Sequence, residues 1–142
     1  IRIVLDPNNE VLGHQLYGMP NRPAAKELVT GTSGGVTIRW CDPRALPCES
    51  RMMIGKTASS TFLVVGSADF TRRDTKGYNI ESVVLVEGLK DFTAAKDAGA
   101  YYSKIWANDG GDYTVPYDAF ADDSIWRSSV YRMMERTGFS YY

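Results

Sequence analysis

Thr61-Phe62-Leu63-Val64-Val65-Gly66-Ser67-Ala68-Asp69-Phe70-Thr71-Arg72-Arg73 and, a few residues on, Gly77-Tyr78-Asn79-Ile80-Glu81 form the most informative stretch of this chain. The first five residues are β-branched, aliphatic and aromatic, which predicts a strand ending at Gly66-Ser67. After a polar stretch, Ile80 to Val86 predicts a second strand, ended by Gly88. A glycine at a strand end lets another backbone or an anion approach closely. A serine beside it holds a hydroxyl able to donate to a phosphoryl oxygen. Glu81 returns a carboxylate at the head of the next strand.

Upstream, Arg51-Met52-Met53-Ile54 predicts a strand, and Gly55-Lys56-Thr57-Ala58-Ser59-Ser60 a hairpin connection into the run at Thr61. Val36-Thr37-Ile38-Arg39-Trp40 alternates and is β-branched, again a strand. Before it, Asn21 as N-cap and Pro23 in the first turn predict a helix through Ala24, Ala25, Leu28 and Val29 that stops before Gly31. Ile1 to Leu5 predicts a strand stopped by Asp6-Pro7-Asn8-Asn9, with a loop holding Gly13 and Gly18 after it. Strand, helix, strand suggests a parallel pair joined by a crossover. Downstream, Asp91 to Trp106 has helical spacing, Asn108-Asp109-Gly110-Gly111 breaks it, and a last helix starts near Asp122-Asp123-Ser124 and stops at Gly138. The expected fold is α/β, a mixed β-sheet with helices packed on its faces, as one domain over residues 1–142.

The composition narrows the function classes. With 142 residues, 44% of them hydrophobic, the chain suits one domain with a core. Sixteen Lys and Arg against seventeen Asp and Glu give a net charge of -1, which weighs against a grip on duplex phosphates. No apolar run approaches the ~20 residues that span a bilayer. Cys41 and Cys48 flank Asp42-Pro43; they could bridge, but two thiols in a loop are more often unpaired, and the compartment stays open, with a weak lean to the cytoplasm. A strand that starts on Ile1 suggests a piece of a longer protein.

The run from Gly66 to Glu81 resembles the second part of the phospholipase D signature, Gly-Ser-x-Asn after a strand followed by Asn-x-Glu. Asp6-Pro7-Asn8, Asn21-Arg22-Pro23, Ile38-Arg39-Trp40, Tyr101-Tyr102 and Trp106 extend the resemblance over nearly the whole chain. It implies one phospholipase D-like half-module without its usual first strand and helix. Its partner would be a second such half, upstream in the same chain or in a dimer mate. It further implies a phosphodiester substrate, lipid or nucleic acid being undecided, and no cofactor. In such a pair one histidine attacks phosphorus and the other protonates the leaving alkoxide. Lysines balance the charge that builds on the equatorial oxygens.

This chain departs from that pattern where the chemistry lies. The His-x-Lys slot falls on Glu49-Ser50-Arg51, so Glu49 stands at the histidine position and Arg51 at the lysine position. The usual aspartate after it has no match, and Asp69 stands where the family has Asn. The resemblance assigns Ser67 and Glu81 to catalysis, Glu81 as the acid that orients the histidine, and Arg51, Gly66 and Ser67 to anion binding. A carboxylate at residue 49 would repel a phosphodiester at neutral pH, whereas arginine still binds phosphate in bidentate fashion. The half is therefore expected to be degenerate: anion binding survives and the nucleophile does not. The alternative is a non-catalytic half that packs against an active one. His14, the single histidine, is expected on a solvated loop. Arg72-Arg73 are a weaker candidate for holding a phosphate or lipid head group. Asp109, Asp112, Asp118, Asp122 and Asp123 lack calcium-loop spacing, and the cysteines with one distant histidine make no metal site.

Overall fold

A computed structural model of the chain describes residues 1–8, 10–11, 14–15, 19–45, 50–68, 81–90 and 92–137. The chain divides into two compact units, one within Ile1–Cys48 and Asn108–Phe139, the other within Glu49–Ala107. The mixture of helix and strand is as expected. Instead of one continuous mixed sheet, however, the described strands form two three-stranded sheets and a two-stranded ladder.

In the first unit, β1 (Arg2–Leu5) and β4 (Thr37–Cys41) lie parallel, joined across α1 (Asn21–Gly31). β8 (Thr114–Pro116), a short strand missed in the sequence, pairs antiparallel with β4 on its other side. Both hydrogen-bonding edges of β4 are thereby used. Trp40 is fully buried. It packs with Ala25, Val36 and Ile38 and is lined by Ile3, Leu5, Val29, Val115, Tyr117 and Phe120. Its ring stacks on Tyr117, lies edge-on to Phe120 and donates Nε1–H to the Tyr117 carbonyl at 2.7 Å. Burying such an indole removes ~150–250 Å² from water, and its one polar atom is satisfied.

Three local expectations change. Asn21 is not an N-cap: Pro20 precedes the helix without a side-chain cap, and Asn21 turns back to the loop after β1, donating to the Asp6 carbonyl at 2.9 Å. Residues expected as loop include β2 (Glu10–Val11) and β3 (His14–Gln15), an antiparallel pair that places His14 opposite Val11. Cys41 is disulfide-bonded where an unpaired thiol was expected. The chain's other cysteine, Cys48, lies outside the described residues. The last helix, α3 (Ile125–Thr137), packs on α1, with Arg132 donating to Glu27 at 2.7 Å and Lys26 3.5 Å from Asp123. The expected stop at Gly138 falls outside the described residues.

In the second unit β5 (Met52–Lys56), β6 (Ser60–Gly66) and β7 (Val83–Leu89) form an antiparallel sheet in the order β5-β6-β7. The expected hairpin is present: Thr57 and Ser60 close its turn through Thr57 N–H to the Ser60 carbonyl at 2.9 Å. Buried Thr61 and Leu63 alternate with more exposed residues on β6. The unit's helix, α2 (Thr93–Ala107), buries Ala95. Gly88 does not end its strand but lies inside β7, where a Cβ would sit 2.9 Å from the Phe92 ring. The glycine leaves the aromatic room to cover the strand. Among the described residues no helix is long and apolar enough to cross a membrane.

Candidate functional site

The chemistry-bearing residues of the second unit meet at one end of its sheet, by strand register. β5 begins after Arg51, β6 ends on Gly66 and β7 begins at Val83, and Gly66 is paired with Val83. The Gly66 amide faces the Arg51 carbonyl at 3.4 Å. Ser67, one residue past β6, donates its N–H to the Ser82 carbonyl at 3.0 Å. The Ser82 amide in turn donates to Ser67 Oγ at 3.1 Å. The Ser67 hydroxyl donates to Glu81 Oε2 in a short hydrogen bond. Two residues fourteen positions apart in sequence are thus directly bonded, and both are exposed.

Gly66 makes this approach possible. A Cβ there would lie 2.2 Å from the Ser82 carbonyl oxygen and 2.9 Å from Val83 Cα, so no larger residue fits without parting the strands. Ser82 is the participant that sequence reasoning missed. Its role is a backbone amide's, which the identity of its side chain does not signal. At the start of β5, Ser50 Oγ lies 2.9 Å from Tyr101 Oη, tying the strand to α2.

The chemical consequence follows from who donates to whom. The Ser67 hydroxyl proton is engaged by a carboxylate, and its oxygen accepts from Ser82. To donate to an incoming anion, Ser67 must first leave Glu81, and the anion must then stand beside a negative charge. The arrangement disfavours anions at neutral pH unless a cation offsets Glu81. Glu49, Asp69, Arg72, Arg73 and Asn79 lie outside the described residues. Among the described residues no three His, Cys, Asp or Glu side chains gather into a group that could hold a metal ion.

The first unit holds a separate polar cluster at the carboxyl end of β1. Asp6 Oδ1 accepts the Asn8 amide at 2.6 Å, and Asn8, at φ 48°, donates from Nδ2 to the Met19 carbonyl at 3.0 Å. Asn21 Nδ2 also reaches Asn8 Oδ1 at 3.1 Å, and Arg22 Nε donates to the Pro7 carbonyl at 3.0 Å. The Arg22 guanidinium lies 4.8 Å from the centre of the Phe120 ring. Burial and the nearby Arg127 lower its pKa, and Asp122 partly opposes them. Asp122, one of the aspartates that lack calcium-loop spacing, accepts the Ser124 amide at 2.9 Å ahead of α3, and Arg127 Nη1–H at 3.1 Å. Asn8 and Asn21 spend their amides on the chain itself, so this cluster fastens the β1–α1 loop.

Comparison with protein-family models, curated proteins and solved structures gives no match for this chain.

Proposed function

We propose that the chain is a phospholipase D-like half-module that has kept the frame of a phosphate site and lost its nucleophile. The single observation that supports this reading is the Ser67–Glu81 hydrogen bond, set at the sheet end by Gly66. The residues that the signature resemblance singles out, fourteen apart and separated by a polar stretch, come into contact at the mouth of two adjacent strands. In a competent half the carboxylate would orient a histidine; here, with Glu49 in the histidine slot, it holds Ser67 instead. Phosphodiester chemistry in the parent protein would then need the histidine of a partner half. This half supplies Ser67, Glu81 and Arg51 to a shared site, or packs there without turnover.

The test is inorganic phosphate titrated into the native chain and into Glu81→Gln, followed by amide chemical shifts at Gly66, Ser67 and Ser82. Glutamine keeps an acceptor for the Ser67 hydroxyl and removes the charge. Weak binding that tightens at least about tenfold in Glu81→Gln is expected, the order of one full charge interaction near a protein surface. The native chain alone should show no turnover of an activated phosphodiester. Native binding as tight as the variant's, or turnover abolished by Ser67→Ala, overturns the degenerate-site reading.

A further inference from the structure

Ser67 Oγ stands between a donor and a carboxylate. The Ser82 amide donates to it at 3.1 Å, and its own proton goes to Glu81 Oε2. An amide donor favours the anionic form of an oxygen, and a carboxylate on the O–H is placed to take the proton. Ser82 occupies one lone pair of Oγ. A hydroxyl has a second, and Ser67 is exposed, so an electrophile reaches the oxygen from solvent. The pair is also held in place. The Gly66–Val83 pairing and the Ser67 amide, 3.0 Å from the Ser82 carbonyl, fix the two strand ends against each other, which lowers the entropic cost of bringing nucleophile and base together. The exposed Ser129 is placed differently: its hydroxyl donates to the Ile125 carbonyl at 3.1 Å, and a helix carbonyl is no base. Charge then selects the reactant. The Glu81 carboxylate repels an anion, whereas a neutral carbonyl compound meets no such barrier.

We propose that Ser67 is a nucleophile toward neutral carboxylic esters, with Glu81 as its general base. The Ser67 oxygen attacks the ester carbonyl carbon while its proton passes to Glu81 Oε2. The bond from that carbon to the leaving oxygen breaks, the alcohol or phenolate departs with the electron pair, and the acyl group stays on Ser67. Glu81 returns its proton to the leaving oxygen or to solvent. Water then cleaves the ester on Ser67, Glu81 again taking the proton. A carboxylate is a weaker base than the imidazole that usually serves a serine, so the expected activity is slow acylation by activated esters. The reaction uses the residues of the phosphate reading but no phosphate, so acylation and phosphate titration fail or succeed separately.

The experiment treats the full chain with para-nitrophenyl acetate and locates acetyl groups by peptide mass mapping. Hydroxylamine, which removes esters and spares amides, separates acetylated serine from acetylated lysine. Acetyl should build up on Ser67, while Ser129 in the same chain stays unmodified. Glu81→Gln keeps an acceptor for the hydroxyl and removes the base, so it should slow acylation of Ser67 by at least about tenfold, positioned bases contributing ~100-fold or more. An ester of the same phenol with a negatively charged acyl group should acylate native Ser67 more slowly than the acetate does, and this preference should shrink in Glu81→Gln. The comparison of Ser67 with Ser129 within the native chain holds even if the variant fails to fold. No acetyl on Ser67, equal acetylation of Ser67 and Ser129, a rate unchanged in folded Glu81→Gln, or a preference for the charged ester overturns the proposal.

Discussion

Replacing Gly66 by alanine should break the sheet end that carries Ser67 and Glu81. The added Cβ would lie 2.2 Å from the Ser82 carbonyl oxygen and 2.9 Å from Val83 Cα. Ordinary contact begins nearer ~3.5 Å, so β6 and β7 must part by more than an ångström or so. Both obstacles are backbone, which cannot rotate out of the way as a side-chain tip can. That movement takes the Ser67 amide out of reach of the Ser82 carbonyl, now 3.0 Å away, and the Ser82 amide away from Ser67 Oγ at 3.1 Å. Each hydrogen bond contributes ~1 kcal/mol net, and overpacking adds ~1–3 kcal/mol. The site is exposed, so water replaces part of what is lost, leaving an expected cost of about 2–4 kcal/mol. Urea unfolding followed by circular dichroism measures it, with Gly99→Ala as the control. Gly99 lies in α2 with nothing within 4 Å of its virtual Cβ, so alanine there should stabilise by ~0.5–1 kcal/mol. A Gly66→Ala midpoint at or above the native one would refute the close approach on which the site depends.

Trp40→Phe should cost about 2–4 kcal/mol, since it leaves the Tyr117 carbonyl without its 2.7 Å donor and opens space in the first unit's core; a thermal midpoint within a degree of native would contradict this. Hydrogen bonds from Arg44 to Asp42 hold that carboxyl at about 2, below its usual 3.8. A lowered folded-state pKa stabilises fully above the unfolded value and loses that contribution as pH falls through the folded one. Native stability should therefore decline between pH ~4 and ~2. Asp42→Asn should flatten that part of the profile, and urea midpoints that fall equally steeply in both proteins would rule out this pair as a source of the acid sensitivity.

Periodicity and turn chemistry were enough to place the main strands and helices. β1, α1 and β4 follow from an apolar run, a Pro-led helix and a β-branched alternation, and the β5–β6 hairpin from two apolar runs around a polar turn. Short elements escaped. Thr114–Pro116 is three residues long and becomes a strand because β4 offers it a free edge, a condition set by another part of the chain. Asn21 carries an N-cap's side chain, yet Asp6 and Asn8 compete for its amide and win. Gly88 signals a strand end in sequence, but Phe92 lies over it and the strand continues. Cys41 could not be assigned a bridge from spacing alone, because pairing depends on how the loop after β4 folds.

The sequence by itself determined the α/β character and, through the resemblance at Gly66 to Glu81, named Ser67 and Glu81 as site candidates, since these rest on residue identity and local pattern. Tertiary structure decided the rest. It divided these strands between two three-stranded sheets, β1-β4-β8 and β5-β6-β7, because sheet membership is set by which backbone edges meet in space. It turned the Ser67 hydroxyl toward Glu81, because a glycine without a Cβ lets Ser82 approach. And among the described residues it pairs β7 with β6 alone, a matter of which backbone groups find partners across the sheet, to which sequence alternation is blind.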